Sequence, residues 1–224
     1  MKIAKSASGL ATLLTCGILV SMSPALAEEA ARSGFLPDYT KLEKHKDAKG
    51  SELERWQSPK LSKDNYQKIL LEPVTFFPAP QGTDQISDQV LSDTQAYLDK
   101  SLRTVGLADV PQVTEAGSGV LRIKVAITAV DTHNVGLKPW QLIPVALIVQ
   151  GAKRASGNVK QDVGLDVEAL VSDSVSGEVL AMSVRKGKGL EIKDEDVQVT
   201  VDDLKPRIDE WAQSVAELVQ KVLK

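Results

Sequence analysis

The stretch GVLRIKVAITAVD, residues 119–131, is the clearest strand pattern in this chain of 224 residues. Apolar and polar side chains alternate along it. The apolar face holds Leu121, Ile123, Val125, Ile127 and Ala129, and the other face holds Arg122, Lys124 and Thr128. Successive side chains of a strand point to opposite faces of a sheet. The pattern therefore predicts a strand with one face buried against a core.

Three further runs predict strands around this one. VGLDVEALVSD (163–173) and EVLAMSVRKGKG (178–189) both alternate, and the turn residues SVSG between them indicate a hairpin. Within the second run, RKGKG (185–189) is expected to be a solvated strand end. YQKILLEPVTFF (66–77) is a shorter β-rich run, in which Pro73 favours the edge of a sheet or a bulge.

Two helices are predicted because apolar residues recur at helical spacing. The first helix ends at Gly106, and its apolar stripe consists of Ile86, Val90, Leu91, Tyr97, Leu98, Leu102 and Val105. The second helix is C-terminal, and its stripe consists of Val201, Leu204, Ile208, Trp211, Val215, Leu218 and Val222. Such a stripe also occurs in coiled coils. The predicted strands have apolar faces that such helices can cover, which favours helices that belong to the core. We therefore expect Trp211 to be buried between helix and sheet.

The order of these elements predicts an α+β fold, a two-layer sandwich in which two principal helices pack on a mainly antiparallel sheet. Residues 63–224 are expected to form this single domain. Residues 28–62 are rich in charge, contain prolines and show no sustained period, which is typical of an arm. We expect the arm to lie across the domain surface; a free partner-binding peptide is the alternative.

Residues 1–27 are predicted to be a signal peptide. Lys2 and Lys5 precede an apolar run over residues 10–20, and small residues lead to a cleavage site after Ala27. This arrangement predicts a periplasmic protein. The apolar run is interrupted by polar residues, whereas a transmembrane helix needs about 20 apolar residues, so no transmembrane span is expected in the mature chain.

A second processing signal overlaps the first. Leu13-Leu14-Thr15-Cys16 resembles the box that directs lipid attachment in bacterial lipoproteins. A chain lipid-anchored at Cys16 is therefore the alternative, although Thr15 fits that box poorly. Cleavage after Ala27 removes the only cysteine, which excludes a disulfide or thiol chemistry in the mature protein.

Charge and motifs argue against several classes of function. The chain has 27 Lys and Arg against 30 Asp and Glu, a net charge of -3, and no clustered basic face that would favour nucleic acid. No nucleophile elbow, zinc-binding helix, phosphate loop or dinucleotide fingerprint is present. We therefore predict a protein that is not an enzyme and has no catalytic residues, cofactor or metal.

Two polar clusters are candidates for a metal or proton site. Asp131, His133 and Asn134 follow the best strand and are spaced so that a carboxylate and an imidazole can hold a metal or a proton, but the same residues are common in a polar turn. Residues 194–196 are acidic but lack the ligand spacing of a calcium loop. Both are interpreted as solvated turns.

Four stretches carry a resemblance to a known family. They are SGFLPDYTKL (33–42), GVLRIKVAITAVD (119–131), SVSGEVLA (174–181) and IDEWAQSV (208–215). In this order and at these separations they resemble the bacterial family called domain of unknown function 3313, whose members are mostly described as lipoproteins. The likeness spans almost the whole mature chain. It implies an envelope compartment and an α+β fold, and no reaction, because the family has no assigned activity.

The segment KPWQLIPVALIVQGAKRASG, residues 138–157, is the least ordinary of the mature chain. Its apolar run over residues 142–149 lacks strand alternation and is too short to cross a bilayer. It is interpreted either as buried core or as a contact with a membrane or an envelope partner, since an aromatic residue and a basic pair flank it. The candidate contact residues are Trp140, Leu142, Ile143, Pro144, Leu147, Ile148, Lys153 and Arg154.

The function predicted from these observations is that of a non-enzymatic accessory or assembly protein of the cell envelope, which binds an envelope protein or the membrane surface. The alternative is a carrier or sensor of a small apolar ligand. An enclosed apolar cavity of roughly 300 Å³ or more favours the alternative. A filled core beside an exposed apolar surface favours the first hypothesis.

Overall fold

The structure is a computed structural model that describes residues 32–47, 49–134, 160–193 and 196–223. The chain divides into two compact units, Met1–Ala30 and Ala31–Lys224, and the described residues all belong to the second. The predicted signal peptide and the candidate contact segment over residues 140–154 lie outside the described residues.

Within the described residues, seven strands form one mixed sheet. The strands are β1 (Glu43–Lys46), β2 (Glu52–Gln57), β3 (Lys68–Leu71), β4 (Thr75–Phe76), β5 (Val120–Asn134), β6 (Gln161–Asp173) and β7 (Val179–Ile192). Their order is β1-β2-β7-β6-β5-β3, and β4 also pairs with β5. The strands β3 and β4 run parallel to β5, whereas the other pairs are antiparallel. The predicted α+β class and the mainly antiparallel sheet are confirmed.

The longest strands are those that the sequence predicts most clearly. Strand β5 pairs with β6, and the predicted hairpin joins β6 to β7. The register of β5 shifts between Ile127 and Ala129. Val130, and not Ala129 as the simple alternation predicted, therefore belongs to the main core cluster, because an extra residue in one strand exchanges the faces beyond it. The run around Pro73 is divided into the short strands β3 and β4.

Both predicted helices are present. Helix α1 (Asp88–Ser101) begins after Ser87, whose side chain accepts a hydrogen bond from the amide of Val90, and continues as a π-helical turn, Leu102–Gly106. A 3-10 turn, Val201–Asp203, precedes helix α2 (Lys205–Leu223). Neither described helix combines the length and apolarity that are needed to cross a bilayer.

The apolar stripes of both helices share one core with a single face of the sheet, here called the inner face. Leu98 of α1, Ile208 and Trp211 of α2, and Val125 and Leu165 of the sheet all belong to it. Trp211 is 4% exposed, which confirms its predicted burial. Burial of apolar surface is the main favourable contribution to folding, so this core holds the two helices on the sheet.

The segment RKGKG (185–189), predicted as a solvated strand end, lies inside β7, and only Lys186 and Lys188 of it are exposed. A Cβ atom at Gly187 would lie 2.5 Å from Cζ2 of Trp211, and one at Gly189 would lie 2.3 Å from the backbone oxygen of Asp203. Arg185 is 8% exposed. The two glycines thus allow α2 to lie directly against β7, which periodicity alone does not reveal.

The predicted arm contains two strands that the sequence analysis did not identify. Strand β2 pairs with β7, and β1 pairs with β2 at the edge of the sheet. Residues 33–42 contact the other face of the sheet, here called the outer face. There Leu36 is buried in a cluster with Met182 and Val184 of β7. We call residues 33–42 the strap.

We predict that Trp211→Ala lowers the free energy of unfolding by about 3–5 kcal/mol, because it removes a large side chain from the core and leaves a cavity. The matched control is Glu217→Ala, which truncates an exposed residue of the same helix and is expected to change stability by less than about 0.5 kcal/mol. Urea denaturation of the two variants measures both values. Equal stabilities would show that Trp211 does not support the core.

Candidate functional site

The strap is held to the outer face by a buried polar contact. Glu168 of β6 is 3% exposed, and Tyr39 Oη donates a hydrogen bond of 2.6 Å to its Oε2. Tyr39 Oη also accepts hydrogen bonds from the amides of Gly34 and Leu36, at 3.1 and 3.2 Å. The phenol therefore connects the backbone of the strap to the sheet.

Burial affects the protonation of both partners. Burial raises the pKa of Glu168, and the hydrogen bond from Tyr39 partly offsets this rise. Burial and the same hydrogen bond raise the pKa of Tyr39. At neutral pH the contact is thus a phenol that donates to a carboxyl group, which is an interaction that positions the strap.

A second polar group on this face involves Asp131 near the end of β5. Burial raises its pKa to about 6, while the positive charge of Lys186 acts in the opposite direction. Lys186 Nζ lies 3.4 Å from Asp166 Oδ2. The side chains of His133 and Asn134, which the sequence placed beside Asp131, lie outside what the structure describes. Within the described part of the chain, no cluster of three His, Cys, Asp or Glu side chains is arranged to hold a metal ion.

A buried ion pair joins the sheet to α2 and to the β1–β2 turn. Arg185 Nη1 lies 3.1 Å from Asp47 Oδ2, and Arg185 Nη2 donates to Ser214 Oγ at 3.0 Å. Asp47 also accepts hydrogen bonds from the amides of Lys49 and Ser51. This pair is satisfied on both sides, so its role is to fix α2 and the turn against β7.

An apolar opening lies between the C-terminal half of α2 and the inner face, and we call it the α2 groove. It has a cavity volume of about 170 Å³. Its lining includes the half-buried apolar residues Ile123, Val171, Ala181, Val215, Leu218 and Val219. The N-terminal half of α2 is buried against Gly187, whereas beyond Trp211 the stripe of the helix is only half-buried. The groove lies in this second region.

The size of the α2 groove limits what it can hold. An apolar cavity of about 150 Å³ binds one benzene molecule, whereas pockets for larger ligands measure about 300–1,000 Å³. The groove is also partly open to the surface. It is therefore suited to one apolar group that belongs to a larger partner, such as a side chain or part of an acyl chain.

Sequence reasoning did not identify the α2 groove. The predicted contact residues 140–154 lie outside the described residues and contribute nothing to this description. Leu218 and Val222 were predicted as core because they continue the stripe of Trp211, yet both are half-buried and line the groove. The sequence did contain one indication of the groove, because the apolar stripe of α2 continues beyond Trp211 to Leu218 and Val222.

The family of the chain follows from comparison with known proteins. The model of the family described as "Protein of unknown function (DUF3313)" matches residues 31–215. This chain belongs to the DUF3313 family. A DUF3313 relative by sequence is "Uncharacterized lipoprotein YdcL" of Escherichia coli strain K12, which is 30% identical over 199 residues, 88% of this chain and 90% of that protein.

Two solved structures have a limited likeness to this DUF3313 chain. The PelC dodecamer from Paraburkholderia phytofirmans is 10% identical, with a TM-score of 0.34, over 73% of this chain and 96% of that chain. Protein XCC0632 from Xanthomonas campestris is 10% identical, with a TM-score of 0.39, over 73% and 86% of the two chains. At this level of similarity neither structure indicates a function for this chain.

The four stretches that resemble DUF3313 now have structural positions. SGFLPDYTKL is the strap, GVLRIKVAITAVD forms most of β5, SVSGEVLA makes the turn into β7, and IDEWAQSV is the part of α2 that carries Trp211. In this chain all four stretches position parts of the fold. The α2 groove lies beside the last of them.

We predict that Tyr39→Phe lowers the free energy of unfolding at pH 7 by about 1–3 kcal/mol, since it leaves the buried carboxylate of Glu168 without this donor. The loss is expected to be smaller at pH 4, because the raised pKa of Glu168 favours its protonated form in the folded protein as the pH falls, and a neutral carboxyl group depends less on this donor. Denaturant titrations at the two pH values measure the difference.

The matched control is Tyr97→Phe, since Tyr97 donates an exposed hydrogen bond of 2.8 Å to Asp209. Its expected cost is below about 0.5 kcal/mol at either pH. Equal costs for the two substitutions at pH 7 would show that the Tyr39–Glu168 contact does not hold the strap.

Proposed function

We propose that this protein is a non-enzymatic component of the bacterial cell envelope that acts by binding, and that the α2 groove receives an apolar group of its partner. The observation that carries the proposal is the groove itself, an apolar opening of about 170 Å³ at the surface of an otherwise well-packed core. Exposed apolar surface of this kind is typical of sites of interaction.

The volume of the groove favours an accessory protein over a carrier. A carrier encloses its ligand in a cavity of roughly 300 Å³ or more, whereas the α2 groove is smaller and partly open. A partner that inserts one apolar group and remains outside needs no larger space. The contact segment over residues 140–154 stays a separate prediction for the same partner or for the membrane.

The buried polar groups support the non-enzymatic part of the proposal, because they form contacts between structural elements. Glu168 is engaged with Tyr39 of the strap, and Arg185 is engaged with Asp47 and Ser214. These side chains connect structural elements, and Arg185, which lines the groove, is already engaged by Asp47 and Ser214. In this interpretation helices and sheet form the two layers of a binding scaffold.

An envelope location is supported by the N-terminal sequence and by the lipoprotein description of the relative YdcL. We propose export with cleavage after Ala27. The relative's description supports the alternative, in which the chain is cut before Cys16 and tethered by lipid. The α2 groove serves a periplasmic or a tethered protein equally well.

The proposal is tested with the exported, purified protein and an uncharged fluorescent probe, N-phenyl-1-naphthylamine. We expect the wild type to bind the probe and Val219→Gln to bind it about tenfold or more weakly, because a buried amide without a partner costs about 1–3 kcal/mol. The measurement is a fluorescence titration, with the melting temperature as a check on folding.

The control is Val105→Gln, the same substitution at a residue that is 44% exposed and does not line the groove. It is expected to leave probe affinity unchanged. The proposal is contradicted if the wild type does not bind the probe, or if folded Val219→Gln binds as well as the wild type. The variant Ala181→Leu fills the groove from the sheet side and should also weaken binding.

A further inference from the structure

One charged side chain lines the α2 groove in addition to the paired Arg185. Arg55 lies on the inner face of β2, between Leu53 and Gln57, and pairs with Ser183 of β7 in the sheet register. Leu53 is buried in the core, whereas Arg55 is half-buried. The side chain of Arg55 therefore lies where the apolar groove meets solvent.

The guanidinium groups of Arg55 and Arg185 differ in their partners. Arg185 has Asp47 and Ser214 as partners. Across the described residues, the guanidinium of Arg55 makes no hydrogen bond or ion pair. The carboxylate of Glu43, which is opposite Arg55 in the β1–β2 register, lies 3.8 Å from His45 Nε2 instead.

Arg55 lies close enough to Arg185 for the two charges to interact. Burial is the main cause that lowers the pKa of Arg185, the carboxylates of Asp47 and Glu210 raise it, and the positive charge of Arg55 lowers it. The two guanidinium groups therefore influence each other, and only Arg185 is neutralised by a carboxylate of the described chain. An anion that enters the groove would meet the positive charge of Arg55, and a hydrogen bond between two charged groups is stronger than one between neutral groups.

From this geometry we propose that the α2 groove binds an anionic amphiphile, with part of an acyl chain between α2 and the inner face and a carboxylate or similar anion paired with Arg55. The proposal rests on the proposed function, because it names the class of ligand for the same groove. An arginine forms paired hydrogen bonds with a carboxylate, and the lining beside it is apolar.

The volume is consistent with part of a chain. Because a cavity of about 150 Å³ holds one benzene molecule, the groove accommodates about six carbons, and its open side lets a longer chain continue outward. A free fatty acid combines the two features, because its acyl chain ends in a carboxylate, whereas an acyl group that is esterified in a lipid carries no charge at that end.

The test compares decanoate with decanol, which has the same chain and no charge, by calorimetric titration of the full exported protein. We expect decanoate to bind the wild type more tightly than decanol does. Arg55→Gln should weaken decanoate about tenfold and leave decanol unchanged. Added salt should weaken only decanoate, because screening acts on the charge pair.

Two variants serve as controls. Arg122→Gln removes one positive charge from a half-buried residue of β5 that is not part of the groove, and it should leave both affinities unchanged. Arg55→Lys keeps the charge and should retain most of the preference for decanoate. Both are checked for unchanged melting temperature.

The outcomes separate the two proposals. If decanol and decanoate bind equally and Arg55→Gln changes neither affinity, the amphiphile proposal is wrong and the groove remains a site for an uncharged apolar group, such as a side chain of a partner protein. If neither compound binds, and the uncharged fluorescent probe also fails to bind, the proposed function is wrong as well.

Discussion

The contact of Trp211 with Gly187 determines how closely helix α2 lies against the sheet. A glycine on β7 leaves room for the indole, and the backbone of Asp203 occupies the corresponding space at Gly189. Side chains at either position would push the helix away. Because this close contact involves only the N-terminal half of α2, the C-terminal half stands over the inner face with the α2 groove beneath it. The groove therefore forms where β7 no longer has a glycine opposite α2.

The outer face of the sheet is organised by a different interaction. Tyr39 donates to the buried carboxyl of Glu168, and the strap covers apolar residues of β7 beside this contact. The sheet is therefore covered on both faces, by helices on one and by the strap on the other. Arg185 adds a connection from β7 to the β1–β2 turn. The apolar surface of the groove is not completely covered by these contacts.

Sequence patterns predict the parts of this fold whose side chains alternate between two environments. Strands β5 to β7 have one face in the apolar core and one face that carries more polar side chains, helix α2 has a buried and an exposed face, and each shows the corresponding period. Strands β1 and β2 do not, because most of their residues are charged, and such a stretch is indistinguishable from a polar arm. Arg55 was consequently counted as one charge of the arm. Its position beside the groove depends on the β2–β7 register, which no local pattern encodes.

We propose that the α2 groove, under the C-terminal half of α2, is a binding site and not a packing defect. Its most direct test is a titration of methyl-labelled protein with decanoate, followed by nuclear magnetic resonance. The account predicts chemical-shift changes at the methyl groups of Leu218, Val219 and Val171, while those of Val163 and Leu180, which are fully buried and do not line the groove, stay unchanged. Changes that are centred on Val163 and Leu180, or no changes at all, would contradict it.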